Sequence, residues 1–210
     1  MVSLTSTIWP FFLYDFLGLI QSSELEKKIL DCGAGGPRPP LSLFSEYGYE
    51  TYGIDVSPEQ IRKAELYGKE NDIALNLKEG DMRNLPWKDD SFSFVYTQNS
   101  LCHLTKEDAR TSIAEMVRVL RPRGYLMVDF MSTDCSFYGD DRLGEQINSG
   151  EFQYIDDDGE KVLHTFYTDE ELDSLFHDLE IVRRVKVSTE NRMIEESKID
   201  VRVYFYLRKS

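Results

Sequence analysis

The chain has 210 residues, 38 acidic against 24 basic side chains, and a formal net charge of −14. This length suits one large domain, and the acidic balance disfavours nucleic acid as a partner. No apolar run approaches the ~20 residues that cross a bilayer, and residues 1–20 lack the basic start of a secretion signal. The chain has an odd number of cysteines, and they are widely spaced: Cys32, Cys102 and Cys135. We therefore expect no disulfide and no metal centre. A chain without disulfides fits a cytoplasmic location.

Short β-rich runs recur along the chain and predict strands. Five of them alternate with helical sequence, which predicts a single Rossmann-like, doubly wound α/β domain over residues 1–210. Its sheet is expected to be mostly parallel, with helices on both faces. Two further runs near the end predict an antiparallel C-terminal hairpin. The predicted strands are residues 27–32, 49–54, 74–78, 92–97 and 125–130, and those of the hairpin are residues 180–188 and 199–208.

Three helix starts carry capping residues. Ser57–Gln60 and Thr168–Glu171 have the pattern of capping boxes, and Thr105 precedes an apolar stripe at helical spacing that runs to Leu120. Pro122 is expected to end the helix that begins after Thr105. The helix that begins at Thr168 is predicted to bury four apolar side chains: Leu172, Leu175, Phe176 and Leu179.

Residues 133–164 interrupt the alternation with polar, acidic and glycine-containing sequence. They directly follow the fifth strand, at the edge where open α/β sheets bind ligands. We therefore interpret them as a lid-like insertion facing a substrate. Within them, Asp156–Gly159 is interpreted as a turn between strands, because the pattern does not fit a calcium-binding loop.

A glycine-rich turn follows the first strand, at Asp31–Gly36. A dinucleotide fingerprint would need glycine at position 38, where the chain has Arg38. The nearby prolines also remove N–H groups that a pyrophosphate would need. The turn therefore favours a ligand without phosphate over a nicotinamide dinucleotide. Asp55, at the end of the second strand, can accept hydrogen bonds from ribose hydroxyls; the alternative is an acid that complements a helix dipole.

Five blocks between Ile29 and Phe130, about half of the chain, resemble the class I S-adenosylmethionine-dependent methyltransferases. They are most similar to the type 11 group, which includes the ubiquinone/menaquinone C-methyltransferases. One departure is Pro37, where family members commonly have a third glycine. The blocks are Leu30–Gly35, Gly53–Ser57, Gly80–Pro86, Phe92–Tyr96 and Val119–Leu126.

The resemblance implies S-adenosylmethionine as the cofactor and assigns roles around it. Asp31 and the backbone of Gly33, Ala34 and Gly35 would face its methionine and ribose parts. Asp55 would hold the ribose and Val56 would contact the adenine. Asp81 would accept from the adenine amino group, or simply cap a turn, and the Met82 backbone would contact the ring. Gln98 would lie near the methionine moiety.

Residues 1–26 are expected to fold over the cofactor site, as the N-terminal segment often does in the resembling enzymes. Tyr14 within this segment is then either a cofactor contact or part of the core. The two alternatives are equally open at this stage.

The expected activity is direct methyl transfer to a small-molecule acceptor, for which the protein must mainly align the reactants. His103 is predicted to line the acceptor pocket and to act as a base if the acceptor arrives protonated, because histidine titrates near neutral pH; it could instead bond a backbone group. Tyr96 and the acids of residues 133–164 are the other candidate bases. The alternatives are a non-catalytic S-adenosylmethionine-binding protein, an RNA methyltransferase and a nicotinamide-dependent oxidoreductase. The acceptor atom and the oligomeric state stay open.

Overall fold

A computed structural model describes residues 9–156, 158–191 and 198–210. Within these residues, helices and strands alternate along the first two thirds of the chain, and strands dominate the last third. The helices are α1 (Phe11–Gln21), α2 (Leu41–Glu46), α3 (Pro58–Glu70), α4 (Lys106–Val119) and α5 (Asp169–Asp173). The strands are β1 (Lys28–Cys32), β2 (Glu50–Asp55), β3 (Leu77–Glu79), β4 (Phe92–Tyr96), β5 (Leu120–Ser132), β6 (Glu145–Asn148), β7 (Glu151–Ile155), β8 (Lys161–Tyr167), β9 (Leu179–Asn191) and β10 (Lys198–Lys209).

The central sheet has the order β3-β2-β1-β4-β5, and all of these neighbours are parallel. On the other side of β5, β10 pairs antiparallel with it, and β9 pairs antiparallel with β10. This arrangement confirms the predicted Rossmann-like fold and its C-terminal hairpin. The polar segment between the hairpin strands, residues 192–197, lies outside the described residues.

Side chains alternate between the two faces of the sheet, as the pleat requires. In β10, Val203 and Phe205 join the apolar cluster that contains residues of α4 and α5. Tyr204 and Tyr206 join the cluster on the opposite face, which contains residues of α1 and α2. The core is therefore layered on both faces of the sheet, as predicted.

Helix α1 is an element that the sequence prediction left unassigned. Its buried residues Leu13, Phe16, Leu17 and Ile20 have the spacing of one helical face. Phe12 stacks on a ring of β10, with its centroid 4.5 Å from that of Tyr204. Residues 1–8 of the predicted N-terminal segment lie outside the described residues. None of the helices in the described ranges is both long enough and apolar enough to cross a membrane.

The start of α3 differs from the predicted capping box. The Ser57 hydroxyl accepts from the Gln60 N–H at 3.3 Å, as expected for an N-cap. The Ser57 N–H, however, donates to the Asp55 carboxylate at 2.9 Å. The reciprocal half of the predicted box is therefore wrong, because Asp55 satisfies the donor that Gln60 was expected to bind. The box at Thr168 and Glu171 is confirmed in full.

Two predicted helix ends are also wrong. Helix α4 ends at Val119, and Pro122 lies inside β5, which begins at Leu120 rather than at residue 125. Helix α5 ends at Asp173, and Leu179 is the first residue of β9, where it pairs with Lys209. In both places, strand pairing overrides the helical spacing of the apolar residues.

Residues 133–164 form an antiparallel β-extension at the carboxyl edge of the sheet. Strands β6, β7 and β8 pair in that order, and β8 pairs in parallel with the end of β5 through Met131 and Phe166. The extension covers a third apolar cluster that includes Leu143 and Phe152. The predicted turn joins β7 to β8: the Asp156 carboxylate accepts from the Glu160 N–H at 2.8 Å, and Asp157 lies outside the described residues.

Candidate active site

A cleft of about 570 Å³ opens at the carboxyl ends of β1, β2 and β4. The turns after these strands supply its walls, because the ends of parallel strands meet at one edge of the sheet. It brings together seven of the ten residues predicted to bind the cofactor. Its lining is Gly33, Gly35, Ile54, Asp55, Val56, Gln60, Gly80, Asp81, Met82, Arg83, Gln98, Asn99, Ser100, His103 and Leu104.

Two glycines give the turn after β1 its shape. Gly33 has a φ of +104°, and a Cβ there would lie 2.0 Å from the Ser100 Oγ. A Cβ on Gly35 would lie 2.6 Å from the Asp55 Oδ2, which accepts from the Gly35 N–H at 2.9 Å. A side chain at either position would therefore collide with residues that line the cleft, Ser100 at one and Asp55 at the other. Gly36 also has a positive φ, and its N–H donates to the Gln60 carbonyl, so Pro37 follows a turn that folds against α3.

Asp55 organises the turn as well as facing the cleft. Its two oxygens accept from the N–H groups of Gly35 and Ser57, each at 2.9 Å. An ionised carboxylate has about four acceptor sites, so it retains capacity for two ligand hydroxyls. Val56 beside it is 65% exposed, which leaves an apolar surface at the cleft wall. Both the ribose role and the helix-start role of Asp55 are compatible with this geometry.

Asp81 and Met82 lie in the turn after β3. The Arg83 side chain and backbone N–H both donate to the Asp81 carboxylate. Hydrogen bonding from Arg83 lowers the pKa of Asp81 and outweighs the opposing effect of burial, so the carboxyl stays ionised as an acceptor. Met82 is half-buried and lies close to the Gly33 turn. Asp81 thus caps its own turn and also lines the cleft.

Asp31 lies beneath the cleft rather than on its surface. It is 1% exposed, and its Oδ2 has no hydrogen-bond partner among the described residues. Burial raises the pKa of Asp31 to about 7; the neighbouring Tyr96 hydroxyl opposes this change and the charge of Asp55 adds to it. An unpaired carboxyl oxygen under a cleft is suited to a positively charged ligand.

Two other predicted cofactor residues do not line the cleft. Ala34 is fully buried and packs against Gly53 of the neighbouring strand. Tyr14 is 40% exposed on α1. The structure therefore brings Tyr14 neither into the cleft nor into the core, because the apolar face of α1 is formed by other residues.

A second cavity of about 450 Å³ adjoins the cleft under the β-extension. Asn99 and His103 line both spaces. The second cavity combines aromatic and aliphatic walls with several basic side chains. Its lining is Asn99, Cys102, His103, Met131, Phe137, Arg142, Leu143, Tyr154, His164, Lys198, Asp200 and Arg202.

His103 ends a short 3₁₀ turn, Leu101–His103, after β4. Its Nδ1 lies 3.0 Å from the carbonyl oxygen of Leu163 in β8. Because a carbonyl only accepts, Nδ1 carries a proton in this contact, and in the neutral tautomer Nε2 then carries the lone pair. The predicted pocket position and the alternative of a backbone bond are therefore both present.

Asp129, at the end of β5, ties the loop after β4 to β10. Its carboxylate accepts from the Asn99 N–H at 2.9 Å and from Arg202 at 2.9 Å. Burial raises the pKa of Asp129, while Arg202 and the Asn99 N–H oppose the change. Asn99 itself has a φ of +55°, a conformation that asparagine tolerates better than most residues. These contacts position the residues shared by the two cavities.

Sequence reasoning missed the residues that form the far wall of the second cavity, notably Tyr154, His164 and Arg202. They lie on β7, β8 and β10, far from the glycine-rich turn in the sequence. The pairing of β8 and β10 with β5 brings them there, and no local motif predicts it.

Known proteins match this chain over its central region. Residues 30–128 match the family described as a methyltransferase domain. This central region belongs to the methyltransferase domain family. This confirms the resemblance inferred from the five sequence blocks, and S-adenosylmethionine is the methyl donor of the family.

Relatives of this chain include two named enzymes. The O-methyltransferase resE of Aspergillus sclerotiorum is 32% identical over 120 residues, which is 56% of this chain and 45% of the relative. Norajmaline N-methyltransferase of Rauvolfia serpentina is 31% identical over 110 residues, which is 50% of this chain and 36% of the relative. The chain spans less than half the length of either relative over these matches.

Solved structures show the same fold over nearly the whole chain. A SAM-dependent methyltransferase from Methanosarcina mazei is 23% identical with a TM-score of 0.77, covering 96% of this chain and 98% of that one. The 1,6-didemethyltoxoflavin-N1-methyltransferase of Burkholderia thailandensis, solved with bound 1,6-didemethyltoxoflavin and S-adenosylhomocysteine, is 18% identical with a TM-score of 0.61. That match covers 95% of this chain and 76% of the other.

Proposed function

We propose that this chain transfers a methyl group from S-adenosylmethionine to a small-molecule acceptor. The observation that carries the proposal is the junction of two cavities at Asn99 and His103. A methyltransferase needs one site for the donor and one for the acceptor, in contact at the transferred group. The net charge of −14 favours a small molecule over RNA as the acceptor.

The residues of the larger cleft fit S-adenosylmethionine. The glycine turn leaves room for a ligand against the backbone, and the unpartnered oxygen of Asp31 suits a cation. In this proposal Asp55 binds the ribose, Val56 and Met82 contact the adenine, and Asp81 accepts from its amino group. Gln98 and the backbone of Gly33 to Gly35 border the methionine part. When bound, S-adenosylmethionine supplies a methyl group activated by a positively charged sulfur.

Residues 133–164 form the acceptor side in this proposal. They contribute Phe137, Tyr154 and His164 to the second cavity, which supports a substrate-facing role for the predicted lid-like insertion. The start of α1 supports a similar role for the N-terminal segment. Its Phe11 and Phe12 line a smaller cavity that also reaches Gln98 and Asn99.

His103 acts as the base for an acceptor that arrives protonated. The contact with Leu163 holds its ring and leaves Nε2 to take up the proton. Asn99, held by Asp129, borders the same junction.

The test combines binding with turnover. We expect calorimetry to detect binding of S-adenosylhomocysteine to the wild-type chain, and a panel of small molecules incubated with S-adenosylmethionine to include one that yields S-adenosylhomocysteine. His103→Asn should keep the binding and lower the turnover, whereas His177→Asn, an exposed site outside both cavities, should change neither. Absence of cofactor binding would contradict the proposal, and binding with no turnover across the panel would support a non-catalytic protein instead.

A further inference from the structure

A second histidine faces the second cavity, called here the acceptor cavity, from β8. His164 lines this cavity, and its ring centroid lies 5.5 Å from that of His103. The rings of Tyr154 and His164 form a T-shaped contact, with their centroids 5.6 Å apart. The Nδ1 of His164 is buried without a hydrogen-bond partner among the described residues. The Tyr154 ring therefore packs against the His164 ring, and the Nδ1 of His164 makes no hydrogen bond with the described residues.

The surroundings of His164 keep its ring neutral. Burial lowers the pKa of His164, and the positive charge of Arg202 acts in the same direction. A neutral imidazole carries one N–H and one lone pair. Since buried N–H groups without partners are rarer than buried acceptors without partners, the proton belongs on Nε2 and the lone pair on Nδ1. His164 then offers an N–H, whereas His103 offers the lone pair of its Nε2.

We propose that this imidazole pair binds the hydroxyl group of a phenol-type acceptor, so that methylation occurs on oxygen; the inference rests on the proposed methyltransferase function. A hydroxyl both donates and accepts, which matches one lone pair and one N–H. An oxygen with hydrogen bonds of about 2.8 Å on each side spans two nitrogens up to about 5.6 Å apart. The ring centroids of His103 and His164 lie 5.5 Å apart, so the two rings are close enough for one hydroxyl group to contact both.

The rest of the cavity favours an aromatic body behind the hydroxyl. Phe137 and Tyr154 line it together with Met131 and Leu143. Flat rings pack well against aromatic edges and against the adaptable side chain of methionine. A neutral aromatic amine fits the polar end less well, because its nitrogen is a poor acceptor for the His164 N–H.

The two histidines divide the work in the transfer. The O–H bond of the acceptor breaks and its proton moves to the Nε2 of His103. The N–H of His164 donates to the oxygen and stabilises the negative charge that develops there. As the oxygen–carbon bond forms, the carbon–sulfur bond of the donor breaks and its electron pair stays on sulfur. The products are the methyl ether, S-adenosylhomocysteine and a protonated His103.

Nitrogen NMR of the imidazole rings tests the pair directly on the wild-type chain. The sequence has three histidines, and the exposed His177 lies outside both cavities. We expect the ¹⁵N shifts to report Nδ1–H for His103 and Nε2–H for His164. Para-cresol should then move both ring signals and leave that of His177 unchanged. Each titration is run with and without S-adenosylhomocysteine.

Matched probes identify the group that is recognised. Para-toluidine, para-thiocresol and para-xylene differ from para-cresol only at the polar position. We expect para-cresol to bind about tenfold more tightly than para-xylene, the effect of roughly one or two net hydrogen bonds. Equal effects of para-cresol and para-xylene, or a preference for para-toluidine, would overturn the inference.

A variant separates the hydrogen bonding of His164 from the space that its ring fills. His164→Phe keeps a flat ring beside Tyr154 but removes both nitrogens, and it should bind para-cresol about tenfold more weakly. Its affinity for S-adenosylhomocysteine should be unchanged. An unchanged affinity for para-cresol would contradict the inference. Failure of the wild type to bind S-adenosylhomocysteine would instead contradict the proposed function, since the cresol titration without it still tests the histidine pair.

Discussion

Replacing Asp31 with asparagine should stabilise the unliganded protein at neutral pH and weaken its cofactor binding. Asp31 is fully buried, and one of its oxygens has no partner among the described residues. Its pKa is about 7 in the folded protein, against 3.8 for an ordinary aspartate. The folded state therefore holds a proton that the unfolded chain has already released between these two pH values.

The sign of the effect follows from this difference. A raised carboxyl pKa favours the folded state at low pH, and its contribution declines as the pH rises from about 4 to about 7. At about 1.4 kcal/mol for each tenfold change in acidity, the two pKa values of 3.8 and about 7 correspond to a decline of about 4 kcal/mol. An asparagine side chain does not ionise, so the variant should lack this part of the decline.

Urea unfolding at about pH 4 and about pH 8 measures the effect. The free energy of unfolding of Asp31→Asn, relative to wild type, should rise by about 4 kcal/mol between the two conditions. Asp178→Asn, at an exposed site, controls for the loss of one negative charge. Calorimetry at neutral pH should show weaker binding of S-adenosylmethionine by Asp31→Asn. A pH dependence equal to that of wild type would refute the burial argument, and undiminished binding would refute the proposed role toward the cofactor.

Two further changes test the turn and the buried ion pair. In thermal unfolding, Gly33→Ala should destabilise the protein by about 1–3 kcal/mol, because the φ of Gly33 is +104° and an added Cβ meets Ser100. The same variant should weaken S-adenosylhomocysteine binding. The control Gly18→Ala, in open space on α1, should instead stabilise the protein by about 0.5–1 kcal/mol. Arg202→Met should destabilise the protein by about 3–5 kcal/mol in urea, since it leaves the buried Asp129 unpaired. Adding Asp129→Asn should recover most of that loss, and an equal stability of the single and double variants would contradict this account.

The cofactor cleft was largely predictable from the sequence because its residues follow strands that are parallel neighbours. Gly33, Asp55 and Gln98 each lie at or just after the end of a strand, and the parallel sheet places these positions at one edge. Asp31 was assigned by resemblance alone. Its burial beneath the turn, and hence its raised pKa, depends on packing that no local pattern encodes.

The acceptor side was not predictable in the same way. His164 lies 61 residues after His103 in the chain (164 − 103) and meets it only because β8 folds back against the turn after β4. Arg202 reaches the cavity through the antiparallel pairing of β10 with β5. The polar, acidic sequence of the segment carrying His164 predicts a lid-like insertion with a turn between strands, but it does not indicate which strands pair. The positions of His164 and Arg202 therefore depend on pairing between strands that are far apart in the sequence.

The most direct test of the central claim is a calorimetric titration of S-adenosylmethionine into the wild type and Asp55→Ala. A matched control is Glu79→Ala, because Glu79 pairs with Asp55 in register on β3 but does not line the cleft. Hydrogen bonds to a charged group contribute roughly 1.5–3 kcal/mol, so Asp55→Ala should bind about 10- to 150-fold more weakly. The wild type and Glu79→Ala should bind alike. No binding by the wild type, or equal binding by Asp55→Ala, would contradict the account.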